Sequence, residues 1–186
     1  MSDHQGDALG NVGNRAKEVI STAVGMASAT TLGSASATAF VTNAEIGNSY
    51  VVEATEIAQA RSSNPEVLAL AERLRRDHFS SREALRRDVE RQDMSTPFSL
   101  DQRHKGLIDI LQTEAADAFD LAFLHQILAA EVESLALYRG FANHGDHEQL
   151  AQLALVGVPV LEGHIEAVRE VIKAKAGANA PKPSDL

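Results

Sequence analysis

The sequence predicts an all-α fold, with four long helices and one short one packed as a bundle. Three observations carry that prediction. Apolar residues recur at spacings of three and four over stretches too long for strands, no useful period-two alternation occurs, and helix start and stop residues punctuate the chain. A length of 186 residues suits a single domain with a sizeable core.

Residues 1–18 are polar and contain glycine, which reads as a loose arm. Residues 19–41 are mildly apolar and rich in Ala, Ser, Thr and Gly. They lack the basic start and dense Leu run of a signal peptide, and they are too polar for a stable membrane span. This reads as a flexible or partly helical arm over 1–37 and favours a cytoplasmic location.

The first helix is expected from Thr38 to Arg61, stopped by Ser62-Ser63-Asn64-Pro65. Asn64 is a good N-cap and Pro65 a good first residue for the second helix, which runs to about Gln92. Its apolar stripe is Val67, Ala71, Leu74, position 78, Ser81, Leu85 and Val89. Arginines and acids crowd its outer face, and Arg73/Asp77, Glu72/Arg76 and Glu83/Arg87 are four apart, which predicts a solvated, ion-paired surface. Ser99 and Gln102 form a capping-box pattern for a short helix from Leu100 to about Thr113. A long helix follows from Asp117 to Asn143, with Gly145 as its C-cap. Asp146 is the expected N-cap of the last helix, His147 to Lys175, which Pro159 should disturb. The bundle thus spans 38–175, and the tail 176–186 is expected to be disordered.

Composition removes several functions at once. A formal charge of −9 argues against nucleic acid as a general partner, since phosphate binding needs a basic footprint. The absence of cysteine excludes disulfides, thiolate metal sites and thiol nucleophiles. No phosphate-cradling glycine loop, His-Glu-x-x-His helix or Gly-x-Ser-x-Gly turn is present. The pattern leaves room for a homo-oligomer.

In a bundle, functional groups project inward, so a polar residue on an apolar stripe is the useful signal. His78, His164, Glu131 and Glu53 each pass that test, one from each long helix. His78 follows Ala71 and Leu74, and His164 is flanked by Leu161 and Val168. Glu131 lies between Ile127 and Leu135, and Glu53 between Ile46, Tyr50, Ile57 and Ala60. Two imidazoles and two carboxylates would suit Fe, Mn or Zn, with Asp77 as an auxiliary or supporting group. The Glu-x-x-His pairs of a di-iron centre are absent, which leaves a mononuclear site or none. Asp101-x-x-His104 is the near miss, and helix capping is its simpler explanation.

Several short strings occur in a specific order: Phe40-Val41-x-x-Ala44, Ala58-x-x-Arg61-Ser62-Ser63-Asn64-Pro65-Glu66-Val67, Asp77-His78, Phe119-Asp120 and Pro159-x-x-x-x-His164. Together they make residues 38–172 resemble an uncharacterised bacterial ferritin-like family, a domain of unknown function with many exported members. The resemblance implies a ferritin-like, up-down four-helix bundle whose inward polar cluster includes Asp77, His78 and His164. It also implies export as the alternative location. Two positions depart from the family pattern: Val51 stands where members often carry Glu, and Glu131 where they often carry His. A Glu at 131 keeps a ligand, and Glu53 is the natural substitute on the first helix. Two functions therefore compete: a metal-binding bundle with a stress or redox role, and a metal-free interaction or stress-protection module whose polar residues fix helix register. An acid–base pair of Glu131 and His164 is a third expectation.

Overall fold

The computed structural model describes residues 35–92, 94–95 and 99–178, so the readings of the arm before residue 35 and the tail after 178 lie outside the described residues. The described residues form five helices and no strand: α1 Ala37–Arg61, α2 Pro65–Glu90, α3 Gln102–Thr113, α4 Phe119–His144 and α5 Glu148–Ala178.

Local chemistry sets most of these boundaries. Asn64 caps α2 as expected, its Oδ1 accepting from the backbone N–H of Glu66 at 2.9 Å and of Val67 at 3.2 Å. The expected capping role of Ser99 is corrected: Asp101 caps α3, its Oδ1 accepting from the N–H of His104 at 2.8 Å. Asp146 is also corrected, because its Oδ1 accepts from the N–H of Ala37 at 2.7 Å and so caps α1. Gly145 ends α4 in extended rather than left-handed conformation, and glycine is required there by space: a Cβ would lie 2.6 Å from the Phe141 carbonyl and 2.8 Å from its ring. Helix α5 continues through Pro159, which sits on the exposed face one turn after the exposed Leu155, whose freed carbonyl water can reach.

The four long helices close into a ring, α1 packing on α2 and α4, and α5 on α4 and α2. Cross-helix contacts give the directions. Phe40 meets Phe141 while Tyr50 meets Gln126, so α1 and α4 are antiparallel. Arg139 pairs with Glu162 and Asp120 with Lys175, so α4 and α5 are antiparallel too. The three-residue turn 62–64 makes α1 and α2 antiparallel. Consecutive α2 and α4 therefore run the same way across the ring, and the chain crosses its length through α3. The chain order departs from strict up-down alternation at that one crossover.

The interior holds two apolar clusters. One gathers Tyr50, Leu74, Phe119, Phe123 and Ile127. The other gathers Phe40, Leu85, Tyr138, Phe141 and Leu150, with the Phe40 and Phe141 rings stacked 4.2 Å apart. Burial of each such side chain is worth roughly 1.5–3 kcal/mol. Arg61 ties the ends together: its guanidinium bonds the carbonyls of Leu111 and Glu114 and lies 4.7 Å over the Phe119 ring. Helices α4 and α5 are long and apolar enough to cross a bilayer by composition; part of their apolar surface packs inside the ring, while Val132, Leu155, Val156 and Val160 stay exposed.

Candidate metal centre

Each long helix carries a buried polar residue turned to the ring interior where it passes from one apolar cluster to the other. On α1 the residue is Asn48, between Ala44 and Val51; on α2 it is His78, between Leu74 and Leu85. On α4 it is Glu131, between Ile127 and Leu137, and on α5 it is His164, between Leu161 and Val168. All four are buried, and Glu131 is fully so. The polar layer therefore lies across the middle of the ring.

The geometry is directional. The Nδ1–H of His78 donates to Asn48 Oδ1 at 2.9 Å, which turns Nε2 inward to Glu131 Oε1 at 2.8 Å. The Nε2–H of His164 donates to Asp77 Oδ2 at 3.2 Å, which turns Nδ1 inward, 3.4 Å from Glu131 Oε2. Thus each imidazole is held by its outer nitrogen and presents its inner one to the same carboxylate. One ligand atom each from His78, Glu131 and His164 lies within 4.8 Å of the others. Among the described residues, Glu131 Oε2 and His164 Nδ1 have no partner closer than this 3.4 Å contact with one another, and Asn48 Nδ2 is buried without a hydrogen-bond partner. A buried donor left without any partner, as Asn48 Nδ2 is, costs about 1–3 kcal/mol.

Electrostatics agree with this arrangement. Burial alone would raise the Glu131 carboxyl, but the two imidazoles outweigh it and hold the pKa at about 2. Burial disfavours charged His164, but the Glu131 and Asp77 carboxylates outweigh that and raise its pKa. Asp77 reaches half-exposed toward Arg73 and Arg76, linking the buried layer to the surface. Burial also pushes the Tyr138 phenol up; its ring fits only because position 157 is glycine, where a Cβ would lie 2.6 Å from it.

Of the predicted residues, the structure brings His78, Glu131 and His164 together, with Asp77 behind His164. Glu53 is not among them. It is exposed and faces a cavity beside α3, because the Ile46–Tyr50–Ile57 side of α1 is the side α3 covers rather than the ring interior. Asn48 occupies the α1 place instead. The signal for it was present: Val41, Ala44, Asn48, Val51, Thr55 and Ala58 alternate steps of three and four, and all six are buried. His104 is buried but belongs to the α3 cap, with Nδ1 2.8 Å from Asp101 Oδ1.

A ring of four long helices crossed at mid-height by a histidine–carboxylate layer defines an all-helical protein with a buried polar centre. The chain belongs to the DUF4142 family, a domain of unknown function, which matches residues 22–171. That match begins inside the segment read as an arm. The crystal structure of a DUF305 fragment from Deinococcus radiodurans is similar in fold, with a TM-score of 0.67 at 14% identity, covering 74% of this chain and 95% of that one. Comparison with curated proteins gives no match.

Proposed function

We propose that this chain is a ferritin-like bundle that binds one transition metal, Fe, Mn or Zn, between His78, Glu131 and His164, in a stress or redox role. The observation that carries the reading is the inward turn of both imidazoles toward one carboxylate, with their outer nitrogens tied to Asn48 and Asp77. Metal-binding histidines are commonly held in this way, since the outer bond fixes the tautomer and leaves a lone pair for the ion. Two nitrogens and a carboxylate suit borderline divalent ions, and Glu131 Oε2 and His164 Nδ1 meet only at 3.4 Å, which leaves both able to turn to an ion. Iron or manganese would supply one-electron chemistry there, and zinc would supply a Lewis acid. Asn48 and Asp77 orient the ligands, and the buried protons between the groups leave when the ion enters. The single long crossover between α2 and α4 supports the ferritin-like assignment.

Elemental analysis of untagged protein tests the reading. Near-stoichiometric metal is expected, and adding the same ion should raise the melting temperature, by about 2.7 kcal/mol of stability at one hundred times Kd. Sub-stoichiometric metal with no shift for Fe, Mn or Zn would sink it. A metal-free module is favoured by one specific feature, the existing 2.8 Å bond between His78 and Glu131. Replacing His78 and His164 together by Leu separates the two: unchanged metal content supports the module, and lost metal supports the centre.

A further inference from the structure

A second site lies outside the polar layer. Between α1, α2 and α3 is a cavity of about 770 Å³, within the roughly 300–1,000 Å³ range of small-molecule pockets. Into it α2 presents Arg75, Phe79 and Arg82, whose steps of four and three place them on one face. The Arg82 guanidinium lies 5.2 Å over the Phe79 ring, and that ring is 45% exposed despite the cost of leaving an aromatic in water.

The arginines on this helix fall into three kinds: ion-paired, exposed without a pair like Arg87, and unpaired with a buried Nε. Arg73 and Arg76 pair with Asp77, Arg86 with Glu45, and Arg91 just beyond with Asp88. Arg75 and Arg82 form no ion pair among the described residues, and the Nε of each is buried with nothing to donate to. Both guanidinium groups line the cavity with no carboxylate partner among the described residues, so both can take an acceptor there. Glu53, Glu56 and Asp109 line the same cavity without pairing to either arginine. With Arg86 and Lys105 also in the lining, four cations exceed three acids by one charge, which matches a single negative charge held in a guanidinium fork better than a multiply charged phosphate. Val52 and Ile108 beside Phe79 add apolar wall.

We propose that this cavity binds a small monocarboxylate with an aromatic or apolar body, its charge held by Arg75 and Arg82 and its body by Phe79. The site is separate from the metal centre and stands without it.

Titration calorimetry of the full chain with phenylacetate, acetate and inorganic phosphate tests this. Phenylacetate should bind with a Kd below about 1 mM, and acetate and phosphate at least about tenfold more weakly. The double variant Arg75→Gln/Arg82→Gln should weaken phenylacetate by about tenfold or more, while Phe79→Ala should weaken phenylacetate and leave acetate unchanged. If the double variant does not fold, Phe79→Ala and the charge-keeping Arg75→Lys/Arg82→Lys decide, since the fork is lost in the latter and binding should fall. The His78→Leu/His164→Leu protein should bind phenylacetate as the parent does. No saturable binding, phosphate binding as tightly as phenylacetate, or affinity indifferent to these substitutions would overturn the proposal.

Discussion

Two of the buried polar networks in the fold differ in whether their hydrogen bonds close. One joins α3 to α1 and α4. Tyr50 donates its hydroxyl to Gln126 Oε1 at 2.7 Å, and the His104 ring stands 5.1 Å from the Tyr50 ring. His104 donates from Nδ1 to Asp101 at 2.8 Å and accepts at Nε2 from Arg103 at 2.8 Å; Arg103 also holds Glu133 at 3.1 Å. Burial pushes the His104 pKa down, which suits a neutral ring with one donor and one acceptor. No buried side-chain atom of Tyr50, His104 or Gln126 is left unpartnered among the described residues. In the other network, Glu131 Oε2 and His164 Nδ1 meet only through a long 3.4 Å contact, and Asn48 Nδ2 has no partner. A closed network locks elements in register, whereas an open one holds unspent ligand capacity. Burial and polarity are shared by both, so the leftover donors and acceptors are what distinguish a candidate site from a clamp.

The largest test of this contrast is Glu131→Ala in metal-free protein. It leaves His78 Nε2 and His164 facing no carboxylate inside the ring. Removing one partner of a buried pair costs about 3–5 kcal/mol, measurable by urea unfolding. Replacing His78, Glu131 and His164 together by Leu should cost little or add up to roughly 4 kcal/mol, because no charge is then stranded. A loss under about 1 kcal/mol for the single substitution would mean that the carboxylate does not organise the layer.

Next in size is the pH dependence of the metal-free protein. Glu131 is lowered from 4.5 to about 2, so its contribution is present above 4.5 and is lost as pH falls toward 2. His164 is raised from 6.5, so its contribution is present below 6.5 and is lost as pH rises through the folded value. Their pair should stabilise most between 4.5 and 6.5. Stability should then decline on the alkaline side by at most about 1.4 kcal/mol per pH unit for one proton. His164→Gln should abolish the alkaline decline in melting curves; an unchanged slope would assign it elsewhere.

How far the sequence reveals these networks depends on the helix carrying each residue. His78, Glu131 and His164 stand out because large apolar side chains flank them at steps of three and four, which fixes the phase of α2, α4 and α5. Helix α1 has a weaker phase. Its interior stripe contains Ala44, Ala54 and Ala58, while the bulky Ile46, Tyr50 and Ile57 lie toward α3. Reading bulk as interior selects Glu53 and passes over Asn48, since a covering fifth helix creates a second apolar side that periodicity alone does not separate. The same limit explains Asp146. Its acceptor role serves Ala37, 109 positions away, and local capping rules rank only the nearest helix start. Of the three expected pairs on α2, only Arg73 with Asp77 forms, at 3.8 Å, because Arg76 turns to Asp77 and Arg86 reaches Glu83.

The smallest effect belongs to the closed network and is the sharper control. Tyr50→Phe keeps the ring, its packing in the core and its approach to His104, and removes only the hydroxyl that donates to Gln126. One neutral buried hydrogen bond is worth about 1 kcal/mol net, so unfolding by urea should shift by about that amount. Metal content should stay at the parent value, because neither Tyr50 nor Gln126 is among the groups turned toward Glu131. If metal were lost with this substitution, the two networks would be one coupled unit, and the open layer would owe its geometry to the α3 clamp as well as to Asn48 and Asp77. Retained metal with a small stability loss would mean that α3 fixes the outside of the ring while Asn48 and Asp77 alone aim the histidines.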